Sequence, residues 1–88
     1  MKIEFTRAFI RTHKKRILHQ VNLHKKFKER TRLFELNPTN PILNDHALKG
    51  KLDHKRAFSI TGDVRVIYYI QDGTAYFVNI GTHPQVYE

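Results

Sequence analysis

RAFSITGDVRVIYYIQDGTAYFVNI, residues 56–80, decides how this chain folds. It reads as three strands, 56–61, 64–70 and 74–80, joined by Gly62-Asp63 and Asp72-Gly73. β-Branched and aromatic residues fill the runs, and they suit a pleated, half-buried surface. Gly-Asp and Asp-Gly are short-hairpin signals, because tight hairpin turns need positive φ. The last third is therefore expected to be an antiparallel meander. Alternation along 64–70 puts Val64, Val66, Tyr68 and Ile70 on one face and Arg65, Ile67 and Tyr69 on the other. An arginine in mid-strand between apolar neighbours asks for a reason. It is either a snorkelling surface residue or a grip for a phosphate, which its planar, permanently charged fork fits.

Upstream, residues 37–55, NPTNPILNDHALKGKLDHK, form an irregular connection, with prolines and asparagines crowding its first half. Before it, Arg7 to about Leu36 contains no glycine or proline, and the apolar spacing is helical. Phe9, Ile10, Ile17, Leu18 and Val21 make one stripe; Leu23, Phe27 and Phe34 make another. Two helices are expected, roughly 7–19 and 22–36, with a soft break near His19–Asn22. Asn37-Pro38 ends the second, because the residue before proline is pushed out of the α region. KIEFT, 2–6, alternates as a first strand, and Thr6 is placed to cap the helix that follows. The expected fold is α+β, in the order β-α-α-β-β-β. Two N-terminal helices pack on one face of an antiparallel sheet, and the other face is partly open. At 88 residues the chain is expected to be one domain, 1–88. A chain this size buries only about 60–65% of its unfolded surface, so any chemistry belongs in an open groove.

Sixteen Lys and Arg against eight Asp and Glu give a net charge of +8, which favours a polyanionic partner. Between Arg7 and Arg32 stand ten Lys/Arg and one acid, Glu29. That stretch is either a solvated helical face or a ridge that meets phosphates. The chain has no cysteine, which excludes disulfide scaffolds and Cys-based zinc sites and fits the cytoplasm. MKIEF leads straight into charge, without a signal-peptide apolar segment, and VIYYI, 66–70, is far too short to span a membrane.

Four stretches are candidates for chemistry. DHALKG, 45–50, puts His46 in a loop beside Lys49. GDVRVIYY, 62–69, carries Asp63 in a turn and Arg65 on the open face. GTHPQVY, 81–87, has Gly81 breaking the last strand, so that His83 and Tyr87 lie at the sheet's end. KGKLDHKR, 49–56, offers Lys49, Lys51, His54, Lys55 and Arg56 to a phosphate backbone. Each has a plainer reading: a polar loop histidine, a turn aspartate, a frayed terminus, a solvated basic run. No metal is expected. His19 and His24 are five apart, His46 and His54 are eight apart, and no acidic cluster accompanies them. His13, His19 and His24 are read as solvated helix residues.

Taken together, the element order, DHALKG, RAFSITGDVRVIYYI and IGTHPQVY resemble the RelE/ParE superfamily of type II toxins, and most of all its YafQ-like mRNA interferases. The resemblance covers nearly the whole chain and is most specific in its last half. It implies a catalytic groove holding His46, Asp63, His83 and Tyr87, with Arg65 in the place of an arginine that RelE- and YoeB-type members set against the scissile phosphate. Two positions depart. Ser59 stands where YafQ-like toxins often have a histidine, and Val64 where they often have tryptophan. The implied activity is a cytoplasmic, translation-inhibiting endoribonuclease that needs no cofactor. It would cut mRNA in the ribosomal A site, with rRNA and a cognate antitoxin as further partners. The chemistry requires a base for the 2′-hydroxyl proton, a cation for the phosphorane and an acid for the leaving 5′-oxygen. Histidine suits the proton transfers, because its unperturbed pKa is about 6.5. His83 is assigned as the acid and His46 as the base or a positioning group, and the two roles can be exchanged. Two alternatives stand beside this reading: a ParE-type inhibitor of DNA gyrase, and a non-catalytic RNA- or ribosome-binding module.

Overall fold

The two hairpin turns are built in different ways. The computed structural model describes residues 1–87. At Asp72-Gly73 both residues are left-handed, with φ of 51° and 78°, as the dipeptide predicts. Neither Gly62 nor Asp63 has positive φ. There the Thr61 hydroxyl accepts from the backbone N–H groups of Asp63 and Val64, at 3.2 and 3.0 Å. A hydroxyl can shape a turn in place of a strained backbone, and the strand before it stops earlier than expected, at Ser59.

The elements are β1 (Lys2–Phe5), α1 (Arg7–Arg16), α2 (Val21–Leu36), β2 (His46–Ala47), β3 (Arg56–Ser59), β4 (Val64–Gln71), β5 (Thr74–Thr82) and α3 (His83–Tyr87). The five strands form one sheet in the order β1-β5-β4-β3-β2. The expected order is present, with two additions: the two-residue β2 inside the irregular connection, and α3 at the end. One pairing corrects the expectation of an antiparallel sheet. β1 joins β5 in parallel, Ile3 opposite Ala75 and Phe5 opposite Phe77. The pairs β5-β4, β4-β3 and β3-β2 are antiparallel.

Thr6 caps α1 as predicted. Its hydroxyl accepts from Phe9 N–H at 3.2 Å and donates to the Phe77 carbonyl at 2.7 Å, so the cap also pins the helix to β5. α1 ends at Arg16, short of the expected residue 19. The N–H groups of Ile17 and Leu18 both reach back to the His13 carbonyl, at 2.9 Å each. α2 ends where Asn37-Pro38 predicts, with Asn37 N–H on the Leu33 carbonyl at 2.7 Å.

The helix-covered face of the sheet holds the main core, and it is aromatic. Phe34 stacks on Phe58 with ring centroids 4.5 Å apart and meets Tyr68 edge-on at 4.9 Å. Phe9 and Phe77 continue the cluster at 5.4 Å. Only part of the first helical stripe is used. Phe9 and Ile17 are buried, whereas Ile10, Leu18 and Val21 are exposed. The helical histidines also differ from expectation. His19 is exposed, but His13 packs against Phe27 at 4.7 Å and His24 at 5.2 Å. Burial, with the nearby His24 second, lowers the His13 pKa.

The second face is not bare. Ala57, Ile67 and Val86 are buried there, with Leu48, Val78 and Tyr87 packed against them. A β-bulge makes this layering consistent. Ile67 pairs with Asn79 but Tyr68 pairs with Phe77, which leaves Val78 as the extra residue. Phe77 and Ile80 can then both enter the helix-side core while Val78 joins the second face.

Candidate functional site

β3 and β4 carry the floor of the site, and two flanking segments supply its walls. Arg65 pairs with Ser59 on one side and Gly81 on the other. From β2 comes His46, which pairs with Ala57 of the second-face cluster. From α3 come His83 and Tyr87.

α3 corrects the reading of the chain's end. Gly81 does not break β5, which runs through Thr82. The side chain of Gln85 reaches back, and its oxygen accepts from Thr82 N–H at 2.8 Å. Thr-His-Pro-Gln, 82–85, is thus half of a capping box, with proline in the first turn where it costs no hydrogen bond. Gly81 is needed for a packing reason. A Cβ there would lie 2.5 Å from Gln85 Oε1 and 3.0 Å from Arg16 Nη1. Arg16 is itself engaged, donating to Asn79 Oδ1 and the Ile80 carbonyl, both at 3.0 Å.

The result is an open groove of ≈ 290 Å³ lined by His46, Leu48, Lys49, Leu52, Arg65, His83 and Tyr87. The His83 and Tyr87 rings meet edge-on with centroids 4.5 Å apart. The Arg65 guanidinium lies over the Tyr87 ring at 5.7 Å, within cation–π range. Arg65 Nε and the Tyr87 hydroxyl are both buried, and neither has a hydrogen-bond partner among the described residues. Three further buried atoms without a partner among the described residues, His13 Nε2, His24 Nδ1 and Thr31 Oγ1, belong to the two long helices. His46 is exposed, and its Nδ1 is 2.9 Å from the Asn44 carbonyl. A carbonyl can only accept. In the neutral ring the proton therefore sits on Nδ1, and Nε2 carries the free lone pair.

Four of the five residues read as catalytic meet here. The fifth, Asp63, does not line the groove. It sits exposed in the β3–β4 turn, its N–H on Thr61. Of the basic run, Lys49 lines the groove, Lys51 and His54 are exposed, and Lys55 is half-buried. Arg56 is already committed. Its Nε and Nη2 both reach Asp45 Oδ1 at 2.8 Å, and the Tyr68 hydroxyl donates to the other carboxylate oxygen. The Asp45 hydrogen bond raises the Arg56 pKa, while burial first and Asp45 second hold the Tyr68 phenol well above its ordinary range. Leu48, Leu52, Asn44 and Gln85 were not singled out by sequence reasoning. The Thr-x-x-Gln spacing at 82–85 was the available signal for Gln85 and α3.

Val64 is buried in the helix-side core, away from the groove, whereas Ser59 stands beside Arg65. A larger cleft of ≈ 570 Å³ lies between Met1, residues 38–41, Asn44, Asp45, Arg56, Tyr68 and Ile70. No histidine lines it, and its Asp45 and Arg56 are paired to each other. Among the described residues, no group of three or more His, Asp or Glu side chains could hold a metal ion. No helix of the described residues is long and apolar enough to cross a membrane.

Comparison with known proteins adds to this geometry. The family described as the bacterial toxin of type II toxin–antitoxin systems, YafQ, matches residues 1–88. No curated protein sequence matches the chain. Among solved structures, YafQ from Escherichia coli superposes with a TM-score of 0.79 at 24% identity, over 99% of this chain and 98% of that one. A copper-bound mutant toxin from Helicobacter pylori gives 0.73 at 25% identity, over 98% of both chains. A YoeB–YefM complex from Staphylococcus aureus gives 0.73 at 19% identity, over 94% of this chain and 97% of that one.

Proposed function

The chain belongs to the YafQ family of bacterial toxins of type II toxin–antitoxin systems, and from that premise we propose that it is a ribosome-dependent endoribonuclease that cuts mRNA. The observation that carries the reading is the convergence of His46, Arg65, His83 and Tyr87 on one groove. Those side chains match the requirements of RNA cleavage by its own 2′-hydroxyl. His46 Nε2 takes the 2′-hydroxyl proton as the 2′-oxygen bonds to phosphorus. Arg65 stabilises the charge on the phosphorane. His83, protonated, gives its proton to the 5′-oxygen as the P–O5′ bond breaks. The products are a 2′,3′-cyclic phosphate and a free 5′-hydroxyl. Tyr87 stacks on a base or hydrogen-bonds the backbone with its free hydroxyl. Every proton transfer and the charge stabilisation come from side chains, so the scheme calls on no metal.

Ser59 stands opposite Arg65, where YafQ-like toxins often place a histidine. In this reading Arg65 takes over the work of holding the phosphate. Asp63, exposed in its turn and not lining the groove, has no step in this scheme. The basic helices dock on rRNA in the A site, which predicts ribosome binding that weakens as salt rises. Solved relatives occur as complexes, the E. coli toxin as DinJ–YafQ and the S. aureus one as YoeB–YefM. A cognate antitoxin, acidic and partly disordered, is the corresponding partner here. The site of action is the cytoplasm, with the ribosome. Gyrase inhibition or plain RNA binding would leave the convergence of His46, Arg65 and His83 on one groove without a use.

Primer extension on a defined mRNA in a reconstituted translation system tests the proposal. Cuts within codons that need ribosomes and fall at least about 100-fold in His83→Ala are expected. Absence of cuts by folded wild-type protein, or undiminished cuts by folded His83→Ala, would overturn it.

A further inference from the structure

Outside the groove, Asp45, Arg56 and Tyr68 form a hydrogen-bonded group of polar side chains. Strand geometry places it back to back with the site. Successive side chains on a strand point to opposite faces. β3 sends Ala57 to the second face and Arg56 to the other; β4 does the same with Ile67 and Tyr68. At the start of β2, His46 lines the groove while its neighbour Asp45 turns to Arg56 and Tyr68. Each strand thus gives one residue to the groove side and the adjacent one to this cluster.

β2 is a short edge strand. It has two residues, pairs through His46–Ala57 and Ala47–Arg56, and is continued by Leu48 N–H on the Lys55 carbonyl at 2.9 Å. So short a ladder holds a strand weakly. Asp45 adds side-chain bonds to Arg56 of β3, the neighbour β2 already pairs with, and to Tyr68 of β4, one strand further in, and its side chain is only 11% exposed. Just before it, Asn44 is left-handed, with φ of 48°, and presents its carbonyl to His46 Nδ1. Any shift of residue 45 moves that carbonyl and the ring together.

We propose that Asp45, clamped by Arg56 and Tyr68, is the positioning residue for His46: it fixes the loop so that the Nδ1–H tautomer is kept and Nε2 faces the groove. This rests on the reading of His46 as the base, and it gives Arg56 a role other than RNA contact. Asp45 touches no RNA; it acts through its neighbour.

The test pairs side-chain NMR of His46 in the full-length, ribosome-free chain with single-turnover mRNA cleavage on ribosomes. The proteins are wild type, Asp45→Asn, Tyr68→Phe and His46→Ala. Wild type shows the Nδ1–H tautomer. Asp45→Asn keeps the amide spectrum of β4 and β5 but loses the single tautomer, and its cleavage rate falls about 100-fold, the scale of a 1 Å misplacement, with little change in ribosome affinity. Tyr68→Phe, which removes one bond and leaves the carboxylate–arginine pair, shows the same changes to a smaller degree. It keeps the proposal testable if Asp45→Asn fails to fold. An unchanged tautomer in a folded Asp45→Asn overturns the proposal, and so does an unchanged one in Tyr68→Phe when that is the only folded variant. If the tautomer shifts as expected but His46→Ala cleaves like wild type, the positioning stands and the reading of His46 as base falls instead.

Discussion

Arg56 and Arg65 stand on adjacent strands of one sheet and live differently. Arg56, on the helix-covered side, has its fork filled by Asp45. Arg65, on the other, keeps a buried Nε with no partner among the described residues. The two faces follow the same division. Behind the helices, large rings lock together and Phe34, Phe58 and Phe77 are fully buried. On the second face a small cluster around Ala57, Ile67 and Val86 supports side chains that point outward. One face uses its contacts to hold the fold. The other presents His46, Arg65, His83 and Tyr87 to an open groove.

That division can be broken by substitution. The largest effect is expected at Phe34→Ala, which empties the centre of the aromatic core and should cost about 3–5 kcal/mol of unfolding free energy in urea denaturation. A loss below about 1 kcal/mol would mean that the core repacks, and that the faces are less distinct than their burial implies. Arg65→Ala should show the opposite profile. Cleavage on ribosomes falls about 10²- to 10³-fold, the scale for losing one group that stabilises developing charge. The loss of stability stays within about 1 kcal/mol, because Arg65 gives up its contact over the Tyr87 ring and Nε has no partner among the described residues. A large drop in stability with intact cleavage would make Arg65 structural.

Gln85→Ala sharpens the comparison within the second face. Losing the contact to Thr82 N–H should cost about 0.5–1 kcal/mol, in the range of a helix cap. It should also loosen His83 and Tyr87, seen as faster amide exchange in α3 and a reduced cleavage rate. The smallest effect belongs to the helices. The folded protein lowers the His13 pKa, so the unfolded chain binds the proton more readily. Stability from this residue is complete above about pH 6.5, the unfolded value, and is lost as pH falls from there toward the lower folded value. Thermal melts between pH 7.5 and 5 should show that loss, and His13→Gln should flatten it.

Much of this fold was legible because strong local signals agree with it. Asp72-Gly73, the alternation of 64–70, Thr6 and Asn37-Pro38 each act within a few residues, and each appears where expected. What was not legible depends on distant partners or on short elements. β2 has two residues and no periodicity to read. The end of α1 carries no breaker, and only the closed hydrogen bonds at His13 place it at Arg16. The bulge at Val78 is set by what Phe77 and Ile80 must bury, not by any residue type. In the site, motif resemblance named His46, Arg65, His83 and Tyr87, which the fold does bring together. It also named Asp63, which stays in its turn, and charge alone named Arg56, whose partner Asp45 lies 11 residues away. A basic run shows where charge is abundant; only the folded chain shows which charges are already neutralised.

Arg16 carries a consequence for solubility. β1 pairs with β5 only as far as Phe77, so the outer rim of β5 beyond that point has no strand beside it. A bare strand rim is a template on which a second chain can add, and from which aggregates grow. Arg16 closes it from the end of α1, donating to the Ile80 carbonyl and to the Asn79 side chain while bringing a positive charge. It acts as a gatekeeper, keeping the sheet from extending into a neighbouring molecule a few residues from His83.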